Sequence, residues 1–122
     1  MTQLSIQTRL DRRNFWIMVD VEVGPTKTVL AMVLDSGSPV SGLSSRSIAN
    51  LADAGLIETG GRRSYVLRQL RVLDQAIPDL VVRQSRRAEQ VGVDGILGLD
   101  FLWRFEDVHF HVPTMRLTLS RP

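Results

Sequence analysis

Asp35-Ser36-Gly37-Ser38-Pro39 is the segment of this chain best equipped for chemistry. Small residues and a proline directly after a carboxylate force a tight turn. Hydrolysing an amide needs one carboxylate to take a proton from water and another, still protonated, to polarise the carbonyl. One Asp cannot do both, and no other Asp or Glu stands in an equivalent Asp-Ser/Thr-Gly turn. A two-fold homodimer would supply the missing group. The plainer alternative for Asp35 is a turn carboxylate that bonds nearby amides.

The elements around this turn follow from periodicity. Phe15 to Val23 alternates, with Ile17, Val19, Val21 and Val23 on one side and Asp20 and Glu22 on the other, which predicts a half-buried strand. Gly24-Pro25-Thr26-Lys27 carries turn chemistry, and Thr28 to Leu34 then runs almost wholly apolar, as a strand covered on both faces does. Asp35 therefore sits at a strand end. Later in the chain, Val91, Val93, Ile96 and Leu97 surround Gly92, Gly95 and Gly98, glycines placed where backbones pass closely.

Elsewhere, Ser44 or Ser45 caps a short helix that runs through Ile48 and Leu51 and stops at Gly55. Gly60-Gly61 turns a hairpin, while Leu70, Val72 and Leu80 to Val82 read as strands divided by Asp74 to Asp79. Arg83 to Gln90 reads as a polar connector. Asp94 is read as a turn residue, and Asp100 caps a second helix over Phe101 to Phe105. A final hairpin places Val108, Phe110 and Val112 before Pro113-Thr114, and Met115, Leu117 and Leu119 after it. The expected fold is one mostly β domain over residues 1–122, with two short helices and its strands closing on themselves. Leu4 and Ile6 near one end, and Leu117 and Leu119 near the other, suggest terminal strands that pair across a dimer.

Asp35-Ser36-Gly37-Ser38 after an apolar strand, together with Ile96-Leu97-Gly98 before a helix, resembles the retropepsin family of aspartic proteases. Val93 to Leu102 is similar to the cellular branch, which includes the DNA-damage-inducible ubiquitin-receptor proteases and bacterial relatives. The resemblance covers most of the chain. It implies a closed β-barrel, a two-fold homodimer and endopeptidase action on a polypeptide substrate, with no cofactor. Asp35 would then be catalytic, Ser36 would direct its hydroxyl across the dimer axis, and Gly37 would admit substrate close to the main chain. Ser38 completes this active-site loop, which Ile96, Leu97 and Gly98 scaffold. Gly60 and Gly61 would form the tip of the flap, here short and charged through Glu58, Arg62 and Arg63. A catalytically silent retropepsin fold, used for dimerisation or peptide binding, is the rival.

Composition removes other classes. The chain is 43% hydrophobic and 23% charged, which predicts an ordinary folded domain. Without cysteine there is neither a disulfide framework nor a thiolate metal site. His109 and His111 share a strand face, but no third ligand is identifiable, so they are read as solvent-facing and no metal is expected. A formal charge of +2 demands no polyanion. Arg12-Arg13, Arg62-Arg63 and Arg86-Arg87 read as scattered surface pairs, and with Phe15, Trp16 and Tyr65 dispersed, no nucleic-acid partner is expected. No apolar stretch is long enough to cross a bilayer, and Met1 to Arg9 lacks the apolar core of a secretory signal. A cytoplasmic location without a membrane partner is the default expectation.

Overall fold

Alternating burial along the first residues produces strands. The structure is a computed structural model that describes residues 3–11, 13, 14, 16–72 and 75–120. Met1, Thr2, Arg12, Phe15 and Asp74, each used in the sequence expectations, lie outside the described residues. β1 (Gln3–Gln7) buries Leu4 and Ile6, and β2 (Arg9–Asp11) pairs with the start of β3 (Trp16–Val23). In β3, Val19, Val21 and Val23 point inward while Asp20 is exposed. A turn closed by Lys27 N donating to Gly24 O (3.2 Å) returns the chain as β4 (Thr28–Leu34), in the register Val23↔Thr28 to Ile17↔Leu34. β4 is covered on both faces only toward Asp35, since Val29 near the hairpin end is 55% exposed.

β5 (Gly42–Leu43) leads to α1 (Ser45–Asp53), where the Ser44 side chain accepts from Ser47 N as the N-cap. β6 (Ile57–Thr59) and β7 (Ser64–Leu67) form the hairpin expected around Gly60-Gly61, with Gly60 N donating to Ser64 O at 3.0 Å. β8 (Leu70–Val72) pairs with β9 (Gln75–Ile77), a strand inside the expected connector, before β10 (Leu80–Gln84).

Residues 83–90 are not one connector. β10 extends through Gln84, and α2 (Arg86–Val91) follows, with Ser85 accepting from Ala88 N and Gly92 ending the helix at φ 76°. β11 (Gly95–Leu97) precedes α3 (Leu99–Leu102), which starts earlier than expected, with Gly98 rather than Asp100 at the N-cap position. β12 (Asp107–His111), a 3-10 turn at Val112–Thr114 and β13 (Arg116–Ser120) complete the final hairpin. Among the described residues, three α-helices and a 3-10 turn thus stand where two helices were expected.

The larger sheet runs β6-β7-β10-β5-β11-β4-β3-β8-β9, and β2 also pairs with β3. β3 is long enough to share one edge, Trp16 to Met18 with β2 and Glu22 and Val23 with β8. Its terminal strands β6 and β9 do not pair with each other, so no closed barrel forms among the described residues. The fold is mostly β, as expected, but open. The smaller sheet is β1-β13-β12, and its Leu4, Ile6, Leu117 and Leu119 join Val21, Leu30, Leu70 and Leu80 in one hydrophobic cluster. The terminal strands therefore pair within the chain, in the register Gln3↔Ser120 to Gln7↔Arg116, and their apolar side chains are not free for a second subunit. Within this smaller sheet, the outer edges of β1 and β12 are left unpaired among the described residues. No helix among these residues is long and apolar enough to cross a membrane.

Candidate active site

β4 lies between β3 and β11, and its parallel pairing with β11 sets Val33 beside Ile96 and Leu34 beside Leu97. The ladder continues into the turn, because Asp35 N donates to Leu97 O at 2.9 Å. Ser38 N donates to Asp35 O at 3.2 Å and closes the turn. Gly37 N donates to Asp35 Oδ1 at 2.9 Å, and a Cβ on Gly37 would lie 3.1 Å from that same oxygen. Glycine lets the main chain draw this close to the carboxylate.

A second set of bonds ties the turn to α3. Leu99 N donates to Ser38 O (2.8 Å) and Asp100 N to Pro39 O (3.3 Å). The Asp100 carboxylate accepts from Ser41 N (3.0 Å) and Ser41 Oγ (2.6 Å), while Ser41 Oγ accepts from Gly98 N (3.0 Å). Asp100 Oδ1 also accepts from Phe101 N (2.8 Å) in the first turn of α3, so Asp100 braces the loop as well as the helix start, although Gly98 holds the N-cap position. A Cβ on Gly98 would meet Ser38 O at 2.6 Å and Val40 O at 2.8 Å, so the loop backbone occupies the space of a side chain there. Ser41 is fully buried. Its replacement by Ala leaves Asp100 and the Gly98 amide short of a partner, and is expected to lower unfolding stability by about 1–3 kcal/mol in urea melts.

Asp94 is likewise structural. Its carboxylate accepts from Ala31 N (2.8 Å) and Ser47 Oγ (3.2 Å), joining β4 to α1.

Asp35 opens into a cleft of about 180 Å³ lined by Trp16, Val33, Leu34, Ser36, Arg87, Val91 and Ile96. Its side chain is 15% exposed, and Oδ2 lies 3.3 Å from Arg87 Nη1. Among the described residues, no second carboxylate lines this cleft. Ser36 is exposed, and its hydroxyl makes no hydrogen bond to another described residue. Ser38 Oγ donates to Val40 O at 2.8 Å. Asp35, Ser36, Gly37, Ser38, Ile96, Leu97 and Gly98 are therefore one assembly. Gly60 and Gly61 line neither this cleft nor a second, wider groove, whereas Arg62 and Arg63 of the same turn line that groove.

Arg87, Trp16 and Val91 were not foreseen at the site. α2 brings Arg87 there because Ser85 N donates to Leu43 O (2.7 Å) at the helix start, and Glu89 Oε1 accepts from Ser45 N (2.9 Å). The bonds from Ser45, side chain first and then backbone, hold the Glu89 carboxyl below the usual carboxylate range. A lowered carboxyl stabilises the fold above its unfolded range, and that tie between α1 and α2 fades as pH falls through the folded value. Glu89 is exposed, so solvent screens the effect. The exposed His109 and His111 stand with ring centroids 6.5 Å apart, and no group of three potential ligands converges among the described residues.

This arrangement of strands and turn is retropepsin-like. Similar solved structures include a retropepsin-like aspartic protease from Rickettsia conorii, with 14% identity, a TM-score of 0.60, and coverage of 98% of this chain and 90% of that one. The retroviral protease-like domain of Ddi1 from Leishmania major is similar at 15% identity with a TM-score of 0.56, covering 84% of this chain and 88% of that one. No protein-family model matches the sequence, and no curated protein does.

Proposed function

We propose that this protein is an aspartic endopeptidase acting on polypeptides as a two-fold homodimer, each copy supplying one Asp35. The observation that carries this reading is a single carboxylate, set at a strand end in a cleft with no second acid, on a retropepsin-like fold. One Asp35 takes a proton from a water held between the pair, and the water oxygen bonds to the scissile carbonyl carbon. The other, protonated, Asp35 donates to the carbonyl oxygen. The C–N bond then breaks as the amine leaves with a proton returned from the pair. Ser36, whose hydroxyl has no partner among the described residues of its own chain, is suited to bond the second subunit.

Arg87 must leave Asp35 for this to happen. Its side chain is 59% exposed, so the guanidinium can swing out into water, while Asp35, 15% exposed, keeps its place in the turn. The same pair also favours a second reading, a silent peptide-binding module whose carboxylate is kept neutralised. The test is cleavage of an unstructured protein with and without a pepstatin-type inhibitor, across a dilution series. Inhibitable cleavage that collapses on dilution supports the peptidase. No cleavage at any concentration leaves the silent module. In parallel, sedimentation at high micromolar concentration should show a dimer, and monomer alone there would remove the basis for a shared site.

A further inference from the structure

Arginines separated in the sequence meet in space. Arg62 and Arg63 in the β6–β7 turn, Arg83 and Gln84 at the end of β10, and Arg86 in α2 line one open groove of about 1090 Å³, with Tyr65 on its wall. No carboxylate among the described residues lines it. Glu58, the acidic residue of the same hairpin, is already held by Arg68 at 3.1 Å, and Arg68 also pairs with Asp79 at 2.8 Å. Among the described residues, Arg62, Arg63 and Arg83 form no ion pair with a carboxylate, and Arg86 forms none within salt-bridge distance, although it attracts the Glu89 carboxylate of its own helix. The next residue after Arg86 is Arg87, which lines the Asp35 cleft, so the start of α2 borders both recesses.

Four like charges in one recess repel each other and raise the local potential, which favours an anionic occupant. Guanidinium groups present paired N–H donors that match carboxylate geometry. The groove holds a single aromatic ring, too few for the stacked bases of a nucleic acid. Arg86 on this groove is followed directly by Arg87 on the Asp35 cleft, so a peptide held at that cleft would have the groove within reach along α2. We infer that this groove binds glutamate or aspartate side chains of the polypeptide substrate, on one side of the scissile bond. This inference rests on the peptidase reading for the word substrate, but binding itself needs no catalysis.

The test uses the full-length Asp35→Asn protein and fluorescent peptides matched in length, one bearing a run of glutamates, one the same run as glutamines and one as lysines. The glutamate peptide is expected to bind about tenfold more tightly than the glutamine peptide at low salt, with the gap closing as salt rises. A paired Arg62→Glu, Arg63→Glu variant should turn the preference toward the lysine peptide, a gain that misfolding cannot produce. Replacing Arg83 and Arg86 with Gln should erase the preference. Equal binding of the glutamate and glutamine peptides would overturn the inference. So would tighter binding of an oligothymidylate that is lost in the same variants. The wild-type protein separates the two claims. Selective binding without any cleavage sustains the groove and sinks the peptidase, whereas cleavage indifferent to acidic residues sustains the peptidase and sinks the groove.

Discussion

Replacing Asp35 with Asn is expected to lower peptide cleavage by at least about 10²–10⁴-fold, the range associated with loss of a positioned acid or base. The fold should survive. The amide is close to the carboxyl in size and can still accept from Gly37 N, the bond that now goes to Asp35 Oδ1. The partnership with Arg87 Nη1 is lost with the charge, but the Arg87 side chain is mostly exposed and can return to water. Unfolding by heat or urea should therefore be nearly unchanged while activity disappears. Wild-type cleavage should be bell-shaped in pH, because two like carboxylates around one water share a proton and work only in that form. Undiminished cleavage by the Asn variant, or activity that needs added metal, would place the chemistry elsewhere.

The second large effect is expected at Gly98. Its added Cβ would fall 2.6 Å from Ser38 O and 2.8 Å from the Val40 carbonyl, and backbone cannot step aside as a flexible side-chain tip can. Gly98→Ala should cost about 1–3 kcal/mol in unfolding stability, typical of overpacking. It should also displace the loop that carries Asp35. A shift near 1 Å at a reacting group lowers turnover by about 10²-fold, so activity should fall further than the residual folded fraction explains. Measuring cleavage at a temperature where the variant is still fully folded separates the two losses. Activity that merely tracks the folded fraction would show that Gly98 supports the fold and not the geometry of the site.

Much of this site was legible in the sequence because it is built from strands with clear periodicity. The alternation from Ile17 to Val23 and the apolar run into Leu34 placed Asp35 at a strand end, and Ile96-Leu97-Gly98 lies directly beside it. α2 was hidden for a physical reason. Only Ala88 of its residues is buried, so it shows no apolar stripe, and Ser85 and Gly92 were its sole marks. β9 was lost among the polar residues around it, where only Ile77 is buried. Asp100 was read as a cap because a local rule fits Asp before a helix. That local bond to Phe101 N is made, but its further partner Ser41 is distant in the chain and is brought to it by the fold. The approach of Arg87 to Asp35 depends on where α2 packs, which no local pattern records.

The central claim is that two copies of Asp35 make one site, and mixing subunits tests it most directly. Wild-type and Asp35→Asn chains are unfolded together, refolded at increasing mutant fraction with total protein held constant, and assayed on an unstructured protein. If the site is shared, activity follows the square of the wild-type fraction, falling to about a quarter at equal proportions, because mixed dimers carry one carboxylate and one amide. A decline in simple proportion to the wild-type fraction would mean that each chain works alone, and would contradict the shared pair.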